Sequence, residues 1–265
     1  MTITGLLPPT KDFVPYTDNI AAGQIEFVSA QGVRSSVSTA TNGDDIWAGT
    51  ATTIPIPASA GVQMTIVSTS ANDAGAGTGL QIVELHYIDA SGNPQAEDLT
   101  MNGVTPVNTI ATNIRFVNDL HADTVGTGGG SAGTITLYLT GAPATIYTII
   151  NVGHFRHSNT ARMVPLGKTL LIESFAVSGG AAAGGKSAQI NLRATSHHGL
   201  LLPVSPNPVF NKESSIFVFN SAQTIKFDTP IVVPALAVVK CTSFATSGGA
   251  DIAANWYGKF VTAPV

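Results

Sequence analysis

From Asp45 to Phe260 the apolar residues alternate with polar ones in short runs, and no run carries a helical stripe longer than two turns. Strands are therefore the regular structure this chain can form. Composition points the same way: 27 Gly and 15 Pro are spread among Thr, Ser, Ala and Val, so helix propensity is low and turns are frequent. With 44% hydrophobic and 11% charged residues, the chain is the reverse of a disordered one. An all-β fold is expected.

The alternation predicts strands at Gln24–Val28, Val62–Val67, Leu80–Asp89, Glu97–Met101, Ile114–Val117, Thr134–Thr140, Leu170–Val177, Gln189–Thr195 and Ile252–Phe260. The second half repeats the plan of the first. Ile56-Pro57 precedes a strand, a Gly/Ala loop and a longer strand, as Val164-Pro165 does; Thr127-Gly128-Gly129 and Thr246-Ser247-Gly248-Gly249 precede the two terminal strands. A divergent duplication accounts for this, and so does chance likeness of two β-domains, because such loops recur widely. The expected architecture is two tandem β-sandwich domains, jelly-roll-like, at residues 45–143 and 144–265, behind an extended N-terminal arm at 1–44. Spacing alone does not separate a jelly roll from an immunoglobulin-like sandwich, although the lack of a Cys…Trp…Cys pattern counts against an antibody-type domain. The arm, with Pro8, Pro9 and Pro15, is expected to serve association and not a core.

The sequence is sparing with chemistry. Cys241 is the single cysteine, so no intrachain disulfide forms. Residues 124–155 carry no formal charge, but glycines break them and Thr134–Thr140 alternates, so they read as a strand with its turns and no membrane partner is expected. Gly129-Gly130-Ser131-Ala132-Gly133 has the letters of a nucleophile elbow, and Gly128 to Gly133 those of a phosphate loop, yet both need a helix afterwards and here a strand follows. His154-x-x-His157 and His197-His198 could together supply metal ligands, and Asp44, Asp45, Asp73, Asp119 and Asp123 oxygen ligands, but no calcium-loop spacing occurs. Neither metal nor cofactor is expected, and acids at turns are expected to accept backbone hydrogen bonds. Trp256 shares a strand face with Ile252, Ala254 and Phe260 and reads as core, while a tryptophan such as Trp47 could also stack on sugar.

Charge is distributed unevenly. Up to Pro143 there are twelve acids and three bases, and beyond it four acids and nine bases. Two drifted surfaces would explain this, as would a molecule that docks in one orientation. On the second reading the partner-binding candidates are Arg156, Arg162, Lys168, Lys186 and Arg193. Scattered bases on an acidic chain make no groove for nucleic acid.

The run Asp45-Ile46-Trp47-Ala48-Gly49-Thr50, with Thr53-Ile54-Pro55-Ile56-Pro57, Gly61-Val62-Gln63-Met64, Ser68-Thr69-Ser70-Ala71-Asn72-Asp73 and Thr105-Pro106-Val107-Asn108-Thr109, resembles a segment of virion structural proteins of tailed bacteriophages, among them capsid decoration, cement and head-fibre proteins. The resemblance covers residues 45–140. It implies a non-enzymatic β-sandwich subunit, often a homotrimer, bound to the major capsid protein on the capsid surface; synthesis in the host cytoplasm is expected because Met1 to Pro9 has neither a basic n-region nor an apolar h-region. A carbohydrate- or receptor-binding adhesin of a fibre, tail or baseplate is the alternative.

Overall fold

The computed structural model describes residues 25–39, 43–180, 187–195, 210–219, 221–245 and 249–262. In chain order its strands are β1 (Ile25–Val37), β2 (Asp44–Asp45), β3 (Met64–Ser68), β4 (Leu80–Asp89), β5 (Pro94–Thr100), β6 (Val107–Asn108), β7 (Ile114–Val125), β8 (Ile135–Leu139) and β9 (Ala142–Ile150). They continue with β10 (Arg162–Met163), β11 (Lys168–Gly180), β12 (Ser187–Thr195), β13 (Phe210–Phe219), β14 (Ala222–Val233), β15 (Val238–Ala245) and β16 (Ala250–Thr262). The fold is all-β, and the strands pair antiparallel in four sheets.

Two sheets, ordered β6-β3-β8-β9 and β5-β4-β7, belong to a first unit. Their inward side chains, among them Met64, Ile66, Val83, Leu85, Leu120, Ile135, Leu137 and Ile150, meet in one buried cluster. The other two, β1-β16-β11-β14 and β10-β15-β12-β13 with β2 also on β15, form a second unit around Ile172, Phe175, Ile190, Leu192, Val239, Cys241, Ile252 and Trp256. Burial of this apolar surface is the main stabilising term in each unit.

Strand order is the same in the two units. β3 to β8 correspond one for one with β11 to β16: β4 lies between β5 and β7 as β12 lies between β13 and β15, and β3 between β6 and β8 as β11 between β14 and β16. In both, the first strand pairs with the last of the six and the second with the fifth. The seventh position differs in origin. In the first unit β9 occupies it, following β8 through a turn at Gly141, whose φ of 82° glycine adopts freely. In the second unit β1 occupies it, paired with β16 from Ile25↔Val261 to Val37↔Ala250.

This arrangement corrects two expectations. The units are not in tandem: the second is built from residues before and after the first, which is inserted between β2 and β10. The join expected at Pro143 falls inside β9, an edge strand, where a proline at the second position costs no ladder bond. Nor do residues 25–39 and 43–44 form an arm, since Ile25–Val37 is a full strand and Asp44–Asp45 pairs with β15. The sequence showed only the start of β1, at Gln24–Val28, because beyond it the inward positions are Ala30, Gly32 and Arg34, small or charged, while Phe27 and Val33 point outward. Residues 1–24, the rest of the expected arm, lie outside the described residues.

The chain crosses between units twice, near 46–61 and 151–163. A third apolar cluster fills the crossing, with Trp47 and Ile54 from one connection, Ala161 and Met163 from the other, Ile88 and Phe116 from the first unit and Val238 from the second. Arg34 holds the first connection by donating to the carbonyl oxygens of Gly49, Thr50 and Ala51. Asn118 holds the second: its amide donates to the Met163 carbonyl at 2.9 Å and accepts from the Met163 N–H at 2.8 Å, as a neighbouring strand would.

Because β1 completes the second core, Val37→Asp places an unpaired carboxylate among apolar groups and is expected to cost about 3 kcal/mol or more. A fall in the urea midpoint of the intact chain checks this.

Candidate functional site

Three of the five candidate docking bases converge. Arg156, Arg162 and Lys168 line a cleft of about 320 Å³ between β1 and the outer face of β4 and β7, together with His86, Asn118, Asp119 and Tyr87. Arg193 lies elsewhere, on β12, in register with Lys212 and Lys240 on its two neighbours. Lys186 is outside the described residues. Arg162 is not a docking residue, because its side chain is 4% exposed and its guanidinium donates to the carbonyl of Ala161 at 2.9 Å and lies within 3.4 Å of that of Ser29. Reversing its charge would disrupt the junction before it touched a partner.

Asp119 is the centre of the cleft. Both its oxygens face Arg156, which donates from Nε at 2.8 Å and from Nη2 at 2.5 Å. His157 Nε2 lies 3.1 Å from Oδ1, Arg162 Nη2 3.8 Å from Oδ1, and His121 Nδ1 3.2 Å from Oδ2. Burial alone would raise the carboxyl's pKa, but hydrogen bonds from His157 and Arg156 and the nearby positive charge outweigh it and hold the group far below the usual carboxylate range. His157, with Nδ1 2.7 Å from Thr148 Oγ1, goes the other way. Burial drives its pKa down to about 4, and the charge of Arg162 assists, against the pull of Asp119. Near neutral pH the centre is thus an ionised Asp119 between two guanidinium groups, with a neutral His157 beneath. The Arg162 pKa is lowered to about 10 by burial, which leaves it charged there.

Part of the sequence's charge polarity is therefore spent inside the molecule. Asp119 of the acidic half meets Arg156 and Arg162 of the basic half, and Asp45 meets Lys240 at 2.7 Å.

The glycine run does bind an anion, one supplied by the chain itself. Asp73 is fully buried and accepts from the N–H groups of Ala132 at 2.9 Å, Gly133 at 2.8 Å and Leu80 at 2.8 Å, and from Ser68 Oγ at 2.6 Å. A Cβ at Gly133 would come within 2.6 Å of Ser68 Oγ, so glycine is what lets the loop close over the carboxylate. Ser131 is no exposed nucleophile: it is buried, and its hydroxyl donates to the Asn151 carbonyl at 2.7 Å. Asp44, Asp45 and Asp89 likewise accept backbone N–H bonds from Ser38, Ile54, and Ser91 with Asn93. Both tryptophans are buried, so neither offers a platform for sugar. Cys241 is buried as well, and burial pushes its thiol pKa up, away from reactivity.

Of the candidate histidines, His154 lines a second cleft, of about 390 Å³, over the outer face of β1, β16, β11 and β14, while His157 is tied to Asp119. His197 and His198 lie outside the described residues. Among the described residues, the group that could hold a metal is another: Glu84 and His86 on β4 with His121 on β7. Glu84 and His86 stand two apart on a strand whose other face is Val83, Leu85 and Tyr87, a pattern present in the sequence. His121 was not legible, because it lies past the point where apolar alternation stops at Val117.

No family model matches the chain, and no curated protein does. Among solved structures it aligns over 91% of its length with 78% of a chain in the structure of infectious bursal disease virus Gt strain, at 9% identity and a TM-score of 0.12, a likeness that carries no argument.

Two measurements test these assignments. Asp73→Asn turns an acceptor of four hydrogen bonds into an amide facing N–H donors, and is expected to cost about 2 to 4 kcal/mol by chemical denaturation. For His157 the folded pKa lies below the unfolded one, so the unfolded chain takes up the proton first. Its stabilising effect is complete above about pH 6.5 and is lost as pH falls toward about 4. Denaturation midpoints should fall across that window, and His157→Gln should flatten the slope.

Proposed function

We propose that this chain is a non-enzymatic structural protein of a tailed-bacteriophage virion, a capsid decoration or cement subunit that binds the major capsid protein on the capsid surface as a homo-oligomer, with a trimer as the favoured form. The same proposal reads each unit as a jelly-roll-like β-sandwich and the pair as a duplication. The nested pairing, the shared core of each sheet pair and the matching strand orders support this part.

The observation that carries the functional reading is the outer face of the sheet β1-β16-β11-β14. Phe27, Lys259, Leu171 and Val232 form one cross-strand row on it, with Tyr257 alongside. Phe27 is 59% exposed, Val232 63% and Tyr257 49%. Large apolar groups held outward together on a rigid sheet are a contact surface in an assembly. At the row itself Lys259 and Glu173 pair with each other at 2.6 Å, so the charge beside the apolar groups is answered locally and the row suits a second copy of the same surface. The resemblance of residues 45–140 to virion proteins supplies the particle. Burial of Trp47 and Trp256 removes the groups that favoured an adhesin.

Band intensity on a gel of purified virions tests the reading. A band comparable with that of the major capsid protein is expected, and a trace band would overturn decoration in favour of a tail or fibre role. Light scattering should show an oligomer that Phe27→Ser combined with Val232→Ser shifts to the monomer.

A further inference from the structure

We propose that Glu84, His86 and His121 form a binding site for a divalent transition-metal ion of the zinc class, at the rim of the cleft centred on Asp119. This rests on the side-chain geometry alone and not on the decoration reading.

The site is built by strand pairing. Glu84 stands opposite His121 and His86 opposite Asp119 across the β4–β7 ladder, so all four side chains leave the same face, away from the core. His86 Nε2 lies 3.0 Å from Glu84 Oε1, and His121 Nε2 lies 3.2 Å from Glu84 Oε2. The ligand atoms are all within 4.8 Å of one another. Donors bound to one tetrahedral zinc stand ~3.3 Å apart, given metal–ligand bonds of ~2.0 to 2.2 Å. The imidazole centroids are 5.3 Å apart with planes inclined by 18°, so both rings present Nε2 to the same carboxylate.

The surroundings argue for a ligand site over a pair of incidental contacts. His121 has its other nitrogen, Nδ1, 3.2 Å from Asp119 Oδ2. The adjacent carboxylate favours the proton on Nδ1 electrostatically, without a hydrogen bond, and that leaves Nε2 with its lone pair free, the tautomer that binds metal. Asp119 is itself fixed by Arg156, so a chain of contacts from the unit junction orients the ring. Asp119 is thus a positioning residue. Two imidazoles and one carboxylate select zinc, cobalt or nickel over magnesium or calcium, which take oxygen donors. Partial exposure, 29% for Glu84, 43% for His86 and 32% for His121, gives the ion a path in and leaves its remaining positions to water.

The test uses the full chain carrying no polyhistidine tag, titrated with Zn²⁺ by calorimetry and with Co²⁺ by visible absorption. Saturable one-to-one binding is expected, unaffected by excess Mg²⁺, with a Co²⁺ band of the intensity of a four-coordinate site. His121→Ala and His86→Ala should each weaken binding at least tenfold, and His86→Gln, at a half-exposed position, repeats the test without disturbing the fold. Asp119→Asn should weaken Co²⁺ about tenfold while keeping the visible band, as expected of a group that orients a ligand without being one. His154→Ala and a His197→Ala/His198→Ala double variant should bind like the parent. Absence of saturation, unchanged binding by the His86 and His121 variants, or loss of binding in the His197/His198 variant would each overturn the assignment.

Discussion

Everything in the second unit depends on hydrogen bonding between the two ends of the described chain. β1 closes the sheet beside β16, and without it the last strand would present an unpaired edge and the core would lack Ala30 and Val37. Since β1 precedes the first unit and β16 comes last, this pairing spans almost the entire sequence. The inserted unit is bounded by contacts that form across it. Contacts of such sequence separation are paid for in loop-closure entropy before they return any stability, which places the second unit among slow-folding topologies. The inserted unit, whose strands lie within residues 64–150, has the more local pairings and is the natural first structure.

The polar groups follow one rule at several sites. Asp73, Asp45 and Asp119 are each enclosed, and each is answered by several donors from segments distant in sequence. Buried charges are tolerated only with such partners, and their loss leaves the donors exposed to an apolar surrounding. The result is that carboxylates act here as ties between loops. Asp73 joins the 68–80 loop to the glycine run, Asp45 joins β2 to β15, and Asp119 joins β7 to the second crossing.

The sequence showed the fold class because period two is written plainly where one strand face is apolar: Leu80–Asp89 appears at the limits expected, with Val83 and Leu85 inward. It hid the parts of strands where small or polar residues break the pattern. β1 buries Ala30, Gly32 and Arg34, and β7 continues through His121, Asp123 and Thr124, where its outward side chains are polar. Discontinuity of the second unit was illegible for another reason, since alternation gives a strand its faces but never its partner. At the candidate site the bases were visible and their roles were not. Arg162 and Arg156 look alike in sequence, and only the fold makes one an internal strut and the other a half-exposed clamp on Asp119.

The meeting of Ile25 with Val261 has a mechanical side. In an antiparallel pair whose free ends lie next to each other, tension applied to those two ends loads the hydrogen bonds one at a time, from the end inward. A pull that holds residue 25 and residue 261 apart would therefore peel β1 from β16 progressively, at low force, whereas a pull on residue 25 along β1, resisted by the body of the second unit, would load the rungs together. An assembly that anchors the molecule by these two ends and draws them apart therefore loads the second unit in its weakest direction.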